Sequence, residues 1–319
     1  MTALSSVKEH SYLIIGGTTK AATTSVFSYL AEHPQVCASS LKESRFFLDA
    51  DYPLSSKYRF EDSLDKYEEL FQHCHDAQLL RLEATPDYLY SPATPQKIKF
   101  SLHQVKIAFI LREPISRLIS WYRFAKQIGQ LSTNFSFEAY VQEQFQAIEA
   151  ELPRPQHMRA LEQGRYSLYL RPYFDLFGQD NIHIAFQEDL SRDPAFVLKE
   201  LCSFAGIDPT FYSDYQFKII NSTKGMKNAN LHRAYMQFLF RTHNFVHNKA
   251  AIRAILRRIR LVFEYFYFRL NTQPPEQVTI SSSARKVLDA YYSQEAKALA
   301  DLIGKAVPWQ LAQAPSSRT

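Results

Sequence analysis

The chain has 319 residues, of which 46% are hydrophobic and 22% charged, a balance that excludes disordered, collagen-like and disulfide-stapled classes. Its 37 Lys and Arg against 32 Asp and Glu give a net charge of +5, which suits an anionic ligand but is too dilute for a nucleic-acid-binding face. Cys37, Cys74 and Cys202 lie far apart with no C-x-x-C pair, so neither a disulfide framework nor a zinc ribbon is expected, and a reducing compartment is. Met1 to His10 is polar and the apolar runs are strand-sized, well short of the roughly 18 residues of a membrane span. The expected location is cytoplasmic.

In chain order, Ser11 to Gly16 reads as a short buried strand and Thr23 to Glu32 as a helix with Val26, Phe27, Leu30 and Ala31 on one face, ended by His33-Pro34. Asp49 to Ala77 is polar and aromatic, a loop with a short helix. Val105 to Leu111 is a second buried strand, Pro114 opens a helix carrying Leu118, Ile119 and Trp121, and Asn181 to Phe186 is a third strand. This alternation implies an α/β fold with a mostly parallel sheet flanked by helices and a ligand crevice at the carboxyl ends of the strands. The C-terminal part reads as helical, with Thr279 to Lys305 amphipathic, and residues 1–319 read as one domain in which 228–275 is a helical insertion or acceptor-side subregion.

Within that subregion, helix 249–270 sets Ile252, Ile255, Ile259 and Phe263 on one face and Arg253, Arg257 and Arg260 on another. The preferred reading is a surface helix packed on the core; peripheral contact with an anionic membrane or with an acceptor is the alternative. His73-Cys74-His75-Asp76 resembles a metal cluster, but adjacent residues cannot converge on one tetrahedral ion, so no metal is expected there.

The segment Gly16-Gly17-Thr18-Thr19-Lys20-Ala21-Ala22-Thr23-Thr24-Ser25 joins a strand to a helix. A turn there aims backbone N–H groups and the positive helix end at one point, with Lys20 and the hydroxyls of Thr23, Thr24 and Ser25 beside it. The alternative is a plain turn whose threonines cap the helix. It is not a Walker A loop, because two alanines separate Lys20 from Thr23. A kinase also lacks its carboxylate after strand 105–111, where Arg112 stands, and Glu188 and Asp189 are the only Walker-B-like candidates. Arg112 offers a bidentate fork at a strand end, and Ser120 follows about two helical turns on. Arg117 is expected in a surface ion pair.

With these segments the chain resembles sulfotransferases that use 3′-phosphoadenosine 5′-phosphosulfate (PAPS), most nearly the heparan-sulfate type of carbohydrate sulfotransferase. The resemblance implies a P-loop-like three-layer fold, PAPS as donor and no metal. Lys20-Ala21-Ala22-Thr23-Thr24 takes the place of the 5′-phosphosulfate loop, and Arg112 with Ser120 that of the 3′-phosphate site. Lys42-Glu43-Ser44-Arg45-Phe46-Phe47 resembles the segment whose Glu is the general base. Thr85-Pro86-Asp87-Tyr88 matches a stretch lining the acceptor cleft, so Lys42, Arg45, Asp87 and Tyr88 are the expected acceptor contacts. Thr223-Lys224-Gly225, continuing to Met226 and Lys227, matches a loop over the bisphosphate, and Ala306 to Trp309 the usual C-terminal ending. Lys20 and Glu43 are the expected catalytic pair.

Two departures stand out. Ala22 replaces the family's usual Gly, which predicts a negative φ at that position. Ala84 replaces a Lys that heparan-sulfate enzymes usually carry, which removes a contact for an acidic polysaccharide. The expected function is transfer of a sulfonyl group to a carbohydrate hydroxyl. Alternatives are the same chemistry on a hydroxylated lipid, polyketide or other small metabolite, an inactive nucleotide- or glycan-binding protein, and a P-loop kinase. No nucleic-acid partner is expected.

Overall fold

Five strands build the sheet: β1 (Ser11–Gly17), β2 (Val36–Ala38), β3 (Leu80–Ala84), β4 (Gln104–Leu111) and β5 (Ile182–Phe186). They lie in the order β2-β3-β1-β4-β5, every neighbouring pair parallel, as the alternation of elements predicts. The computed structural model describes residues 10–218 apart from 55 and 76, residues 277–310, and residues 225–226, 235, 267 and 270–273. Nearly all of the expected helix 249–270, together with Lys224 and Lys227, lies outside the described residues. Two units are distinguished: Met1–Arg117 with Gln163–Asn221 and Lys286–Thr319, and Leu118–Glu162 with Ser222–Arg285.

The first unit holds the whole sheet. Side chains alternate across a strand, so Tyr12 and Ile14 of β1, Ile107, Phe109 and Leu111 of β4, and Ile182, Ile184 and Phe186 of β5 enter one apolar cluster. Leu13 and Ile15, Ala108 and Ile110, and Ala185 enter the other. Burial on both faces is why these strands read as mostly apolar runs, with Lys106 in β4 and His183 in β5 as the interruptions. Helices α1 (Thr23–Ala31), α2 (Leu64–Glu68) and α3 (Thr94–Ser101) follow β1, β2 and β3 in the chain. On α1, Val26, Phe27 and Leu30 are buried as expected, but Ala31 is exposed and Tyr29 is buried with them. Helix α4 (Pro114–Gln127) begins in the first unit; α5 (Phe137–Glu149) belongs to the second, where the side chain of buried Gln144 bonds Tyr140 O and Leu161 N. That unit also contains an antiparallel pair, Gly225–Met226 with Thr272–Gln273.

Back in the first unit come α6 (Tyr166–Phe177), α7 (Gln187–Arg192) and α8 (Pro194–Ala205). The last described helix, α9 (Ser282–Ile303), buries Leu288, Tyr292, Glu295 and Leu299, the helical spacing expected of an amphipathic run. Glu295 is an acid on that buried face because its carboxylate accepts the N–H and hydroxyl of Ser167 at 2.6 and 2.9 Å, serving the first turn of α6. His33 ends α1 as expected: its Nδ1 accepts from Gln35 N, which leaves Nε2 to donate to Asp208 O at 2.9 Å. Trp309 packs on Tyr166 and Phe186.

The cysteine expectation is overturned. Cys37 of β2 and Cys74 are joined by a disulfide, with Cα atoms 5.6 Å apart. Their separation of 37 residues hid the pairing, because it is the return of the chain to the sheet edge that brings them together. The same return brings His73 to them; the ligand atoms of Cys37, His73 and Cys74 lie within 4.8 Å of one another. The bridge removes the cysteine argument for a reducing compartment. Among the described residues no helix is long and apolar enough to cross a membrane. Closing a loop of this length restricts the unfolded chain, so reduction of the bridge, or Cys74→Ser, lowers the unfolding free energy by about 2–4 kcal/mol in a urea titration. An unchanged midpoint would show that the two cysteines are not joined.

Candidate active site

Because the sheet is parallel, the segments that follow β1, β2, β3 and β4 all leave from the same, carboxyl, end of the strands. β1 ends at Gly16 and Gly17, where a Cβ would come within 2.9 and 3.0 Å of the Phe109 ring; glycine is what lets β1 lie this close to β4. Thr18 N–H then bonds Ile110 O at 2.8 Å. Lys20 and Ala22 both have left-handed backbone, φ 70° and 62°. The expected negative φ at Ala22 is therefore wrong. The turn into α1 needs a left-handed residue at its cap, and Ala22 adopts that conformation while its carbonyl accepts from Ser25 N and Val26 N at 3.0 and 3.2 Å. An L-residue there costs about 1–2 kcal/mol relative to right-handed backbone.

No side chain caps α1, so the threonines are not used as caps. Thr23 is buried, Thr24 half-buried, and buried Ser25 bonds the hydroxyl of Tyr29. Ala21 is buried.

Two arginines hold the loop from behind. Arg112, at the end of β4, donates to Lys20 O at 3.2 Å, while its own carbonyl accepts the Tyr166 hydroxyl at 2.7 Å. Arg117 is not the surface ion pair expected of a helical arginine. It is 0% exposed, donates to Thr19 O at 3.1 Å and Gln163 Oε1 at 3.2 Å, and lies over the Tyr90 ring. Such a guanidinium tolerates burial because carbonyl oxygens and an aromatic face replace water around it. Ser120 belongs to the second unit, where it is a buried residue of α4. Gly225 and Met226 also belong to that unit.

The segment after β2 carries Lys42, Glu43 and Arg45. Glu43 is half-buried between two cations, with Lys42 Nζ 3.0 Å from Oε1 and Arg45 Nη2 3.3 Å from Oε2. Burial opposes ionisation, but Lys42 and Arg45 outweigh it and hold the carboxyl below the usual range. Glu43 also acts on Lys20: burial, and then Arg112, push the Lys20 ammonium down to about 8, with Glu43 acting in the opposite direction. The loops after β1 and β2 thus form one electrostatic site.

The segment after β3 backs this site. Asp87 is 5% exposed, accepts from the Tyr52 hydroxyl at 2.8 Å, and is pushed up to about 6, chiefly by burial. Tyr88 is fully buried; its hydroxyl accepts Phe47 N at 3.2 Å, and so it shapes the Glu43 loop from the interior. Glu83, which the sequence reading left out, is also fully buried; burial pushes it up to about 7. Its only signal in the sequence was an acid beside Thr85-Pro86 at the end of a strand whose other inward residues are apolar. The Walker-B-like candidates have other uses. Glu188 accepts from Glu113 N at 2.8 Å and from Trp309 Nε1 at 3.3 Å, and Asp189 pairs with Arg192.

Comparison with known proteins adds family-level information. The sulfotransferase domain family matches residues 11–237. The chain is 30% identical over 142 residues to membrane-associated sulfotransferase kil1 of Dictyostelium discoideum, covering 43% of this chain and 28% of that protein. It is 27% identical over 212 residues to heparan sulfate glucosamine 3-O-sulfotransferase 3A1 of Mus musculus, covering 66% of this chain and 49% of that protein. It therefore spans half or less of the length of these relatives. A sulfotransferase from Alicyclobacillus acidocaldarius superposes with a TM-score of 0.63 at 20% identity, over 94% of this chain and 98% of that one, which shows a shared fold.

Replacing Ala22 by glycine relieves about 1–2 kcal/mol of backbone strain and adds roughly 0.4–1 kcal/mol of unfolded-chain entropy. Ala22→Gly accordingly stabilises the protein by about 0.5–1 kcal/mol in equilibrium denaturation. A loss of stability would contradict the left-handed turn.

Proposed function

This chain belongs to the sulfotransferase domain family, and from that premise we propose that it moves a sulfonyl group from PAPS to a hydroxyl of a carbohydrate, whether glycan, oligosaccharide or glycolipid. One observation carries the reading. Arg112, proposed for the 3′-phosphate, is bonded to the carbonyl of Lys20 in the loop proposed for the 5′-phosphosulfate. A nucleotide with phosphates at both positions would meet both groups, whereas 5′-AMP would leave Arg112 unused.

The donor supplies the sulfonyl group. Ala21, Ala22, Thr23, Thr24 and Ser25 place the uncapped start of α1 against its 5′ end, and Lys20 adds the charge that balances the leaving oxygen. Lys20 is charged at neutral pH but only just, so an arriving anion holds the proton more firmly. By resemblance to the family, Arg112 is the proposed contact of the 3′-phosphate, and Ser120, Lys224, Gly225, Met226 and Lys227 keep the nucleotide-binding roles that the resemblance implies for them.

Glu43 is the proposed base. The two ion pairs keep it ionised, the state in which a base must start, and an acceptor hydroxyl enters by displacing one of them. Lys42 and Arg45, once displaced, remain to contact the acceptor beside Asp87, while Tyr88 supports the loop from beneath. Similarity to the mouse heparan sulfate glucosamine 3-O-sulfotransferase 3A1 supports a carbohydrate hydroxyl. Ala84 is fully buried and offers no cation, which favours an acceptor less acidic than heparan sulfate.

Calorimetry with 3′,5′-adenosine bisphosphate, 5′-AMP and ATP tests the donor side. The bisphosphate binds most tightly, and Arg112→Ala weakens it by about 10–100-fold, as expected for a lost charge-assisted hydrogen bond. Preference for ATP, or equal binding of 5′-AMP, would sink the reading. An anion favours protonated Lys20, so bisphosphate affinity falls as pH rises through about 8; Lys20→Met flattens that limb. Transfer from radiolabelled PAPS to heparosan, or to water, falls by about a hundredfold or more in Glu43→Gln. Bisphosphate binding without transfer to heparosan or water would overturn the carbohydrate acceptor and leave either another hydroxyl acceptor or an inactive binding protein.

A further inference from the structure

Glu83 has no place in the mechanism above, yet it is a fully buried acid at the end of β3. Its Oε1 accepts two hydroxyl protons, from Ser44 Oγ at 2.9 Å and from Thr85 Oγ1 at 2.6 Å. A hydroxyl owns one proton; having given it to Glu83, it can only accept from any further donor. Both then accept from the backbone of the Glu43 loop: Arg45 N–H bonds Thr85 Oγ1 at 3.1 Å, and Phe46 N–H bonds Ser44 Oγ at 3.3 Å. The chain continues outward in the same sense. With Ser44 committed to Glu83, the 3.3 Å contact between Ser44 Oγ and Tyr88 OH must have Tyr88 as donor, and Tyr88 OH accepts Phe47 N–H. One carboxyl oxygen thus orders the bonds of three successive loop N–H groups.

That loop needs such a clamp. Glu43 and Arg45 both have φ 59°, a conformation that non-glycine residues hold only when their surroundings impose it. Ties to the strand itself come earlier in the segment, Ser39 N–H to Leu82 O at 2.8 Å and Glu43 N–H to Ala84 O at 2.9 Å; they fix where residue 43 begins but not how the chain turns after it.

We infer that Glu83 is a positioning residue for Glu43: it sets the direction of the Ser44 and Thr85 hydroxyls, and through them the left-handed loop that presents the Glu43 carboxylate. The inference rests on Glu43 being the base. Burial, which holds Glu83 near neutrality, is consistent with a group that works as an acceptor in an ordered network and not as a counter-charge. Its Oε2 and the Tyr67 hydroxyl are both buried without a hydrogen-bond partner among the described residues, so the acid is not held by a salt bridge there.

The test is a double-mutant cycle on turnover of radiolabelled PAPS, counting transfer to heparosan and to water together, with bisphosphate affinity measured for every variant. Glu83→Leu, of similar volume, lowers kcat by about 30–100-fold while donor KM and bisphosphate affinity stay within about twofold, because it misplaces the base and leaves the donor loop intact. Glu83→Gln keeps a carbonyl acceptor and recovers most of the loss. In a Glu43→Gln background Glu83→Leu adds less than about twofold, since the group it positions is gone. Ser44→Ala removes one arm of the clamp and gives a smaller kcat loss that also vanishes in that background, which keeps the question open to test if Glu83→Leu does not fold. Equal losses in Glu83→Gln and Glu83→Leu, or an undiminished effect on top of Glu43→Gln, would overturn the positioning role and leave Glu43 as base. Unchanged turnover in Glu43→Gln alone would instead overturn the base assignment.

Discussion

Left-handed backbone at Lys20, Ala22, Glu43 and Arg45 is the constraint on which the candidate site depends. None of the four is glycine, so each resists the conformation it holds, and each loop stays in place only because other elements over-determine it. The loop after β1 is bound from the interior by Arg112 and Arg117 through the carbonyls of Lys20 and Thr19. The loop after β2 is bound by the end of β3 through Ala84, Thr85 and Tyr88. Strand β3 lies between β2 and β1, and Thr85 N–H also bonds Ile15 O at 3.2 Å. One strand end therefore registers the two strained loops against each other, and that register sets the relation of Lys20 to Glu43.

The interior behind these loops is unusually polar for a core. Arg117, Glu83, Asp87 and Glu295 are buried, and each is met by hydrogen bonds to hydroxyls or backbone groups that the chain holds still. A buried charge whose partner is mobile is expensive, whereas fixed dipoles replace the lost water without having to reorganise. The same stiffness is useful to catalysis, which gains only from groups already aimed when the reaction begins. Near the surface the opposite arrangement prevails. Glu43, Lys42, Arg45 and Lys20 are half-buried and act on one another by charge, so they can exchange partners when an anion or a hydroxyl arrives.

Three of the five strands, β1, β4 and β5, and the helix after the first were legible because they answer to short-range rules: apolar runs of strand length, helical spacing, and the breaking effect of His33-Pro34. β2, three residues long, and β3, five residues long with Glu83 inside it, do not stand out that way. Lys20, Glu43 and Arg112 stand out as candidates for a different reason, since each lies in a local motif. The failures share a cause as well. Arg117 was assigned to the surface because an isolated helical arginine belongs there, and nothing near it in sequence reveals the carbonyl of Thr19 that receives it. Cys37 and Cys74 were kept apart because 37 residues lie between them. Ala22 was given a negative φ because that is what alanine prefers on its own, and the preference was overridden by the turn that the strand and helix jointly require.

By itself the sequence determined the α/β class, the parallel sheet, the loops that carry the candidate chemistry and the residue types offered there, because periodicity and turn chemistry are encoded within a few residues of each position. Only the tertiary structure decided which of those residues share a site, which backbone conformations they are made to hold, and that Glu83 and Arg117 stand behind them. Those outcomes depend on hydrogen bonds between segments 39 to 98 residues apart, and the energy of such a bond belongs to a pair of positions that no local pattern contains.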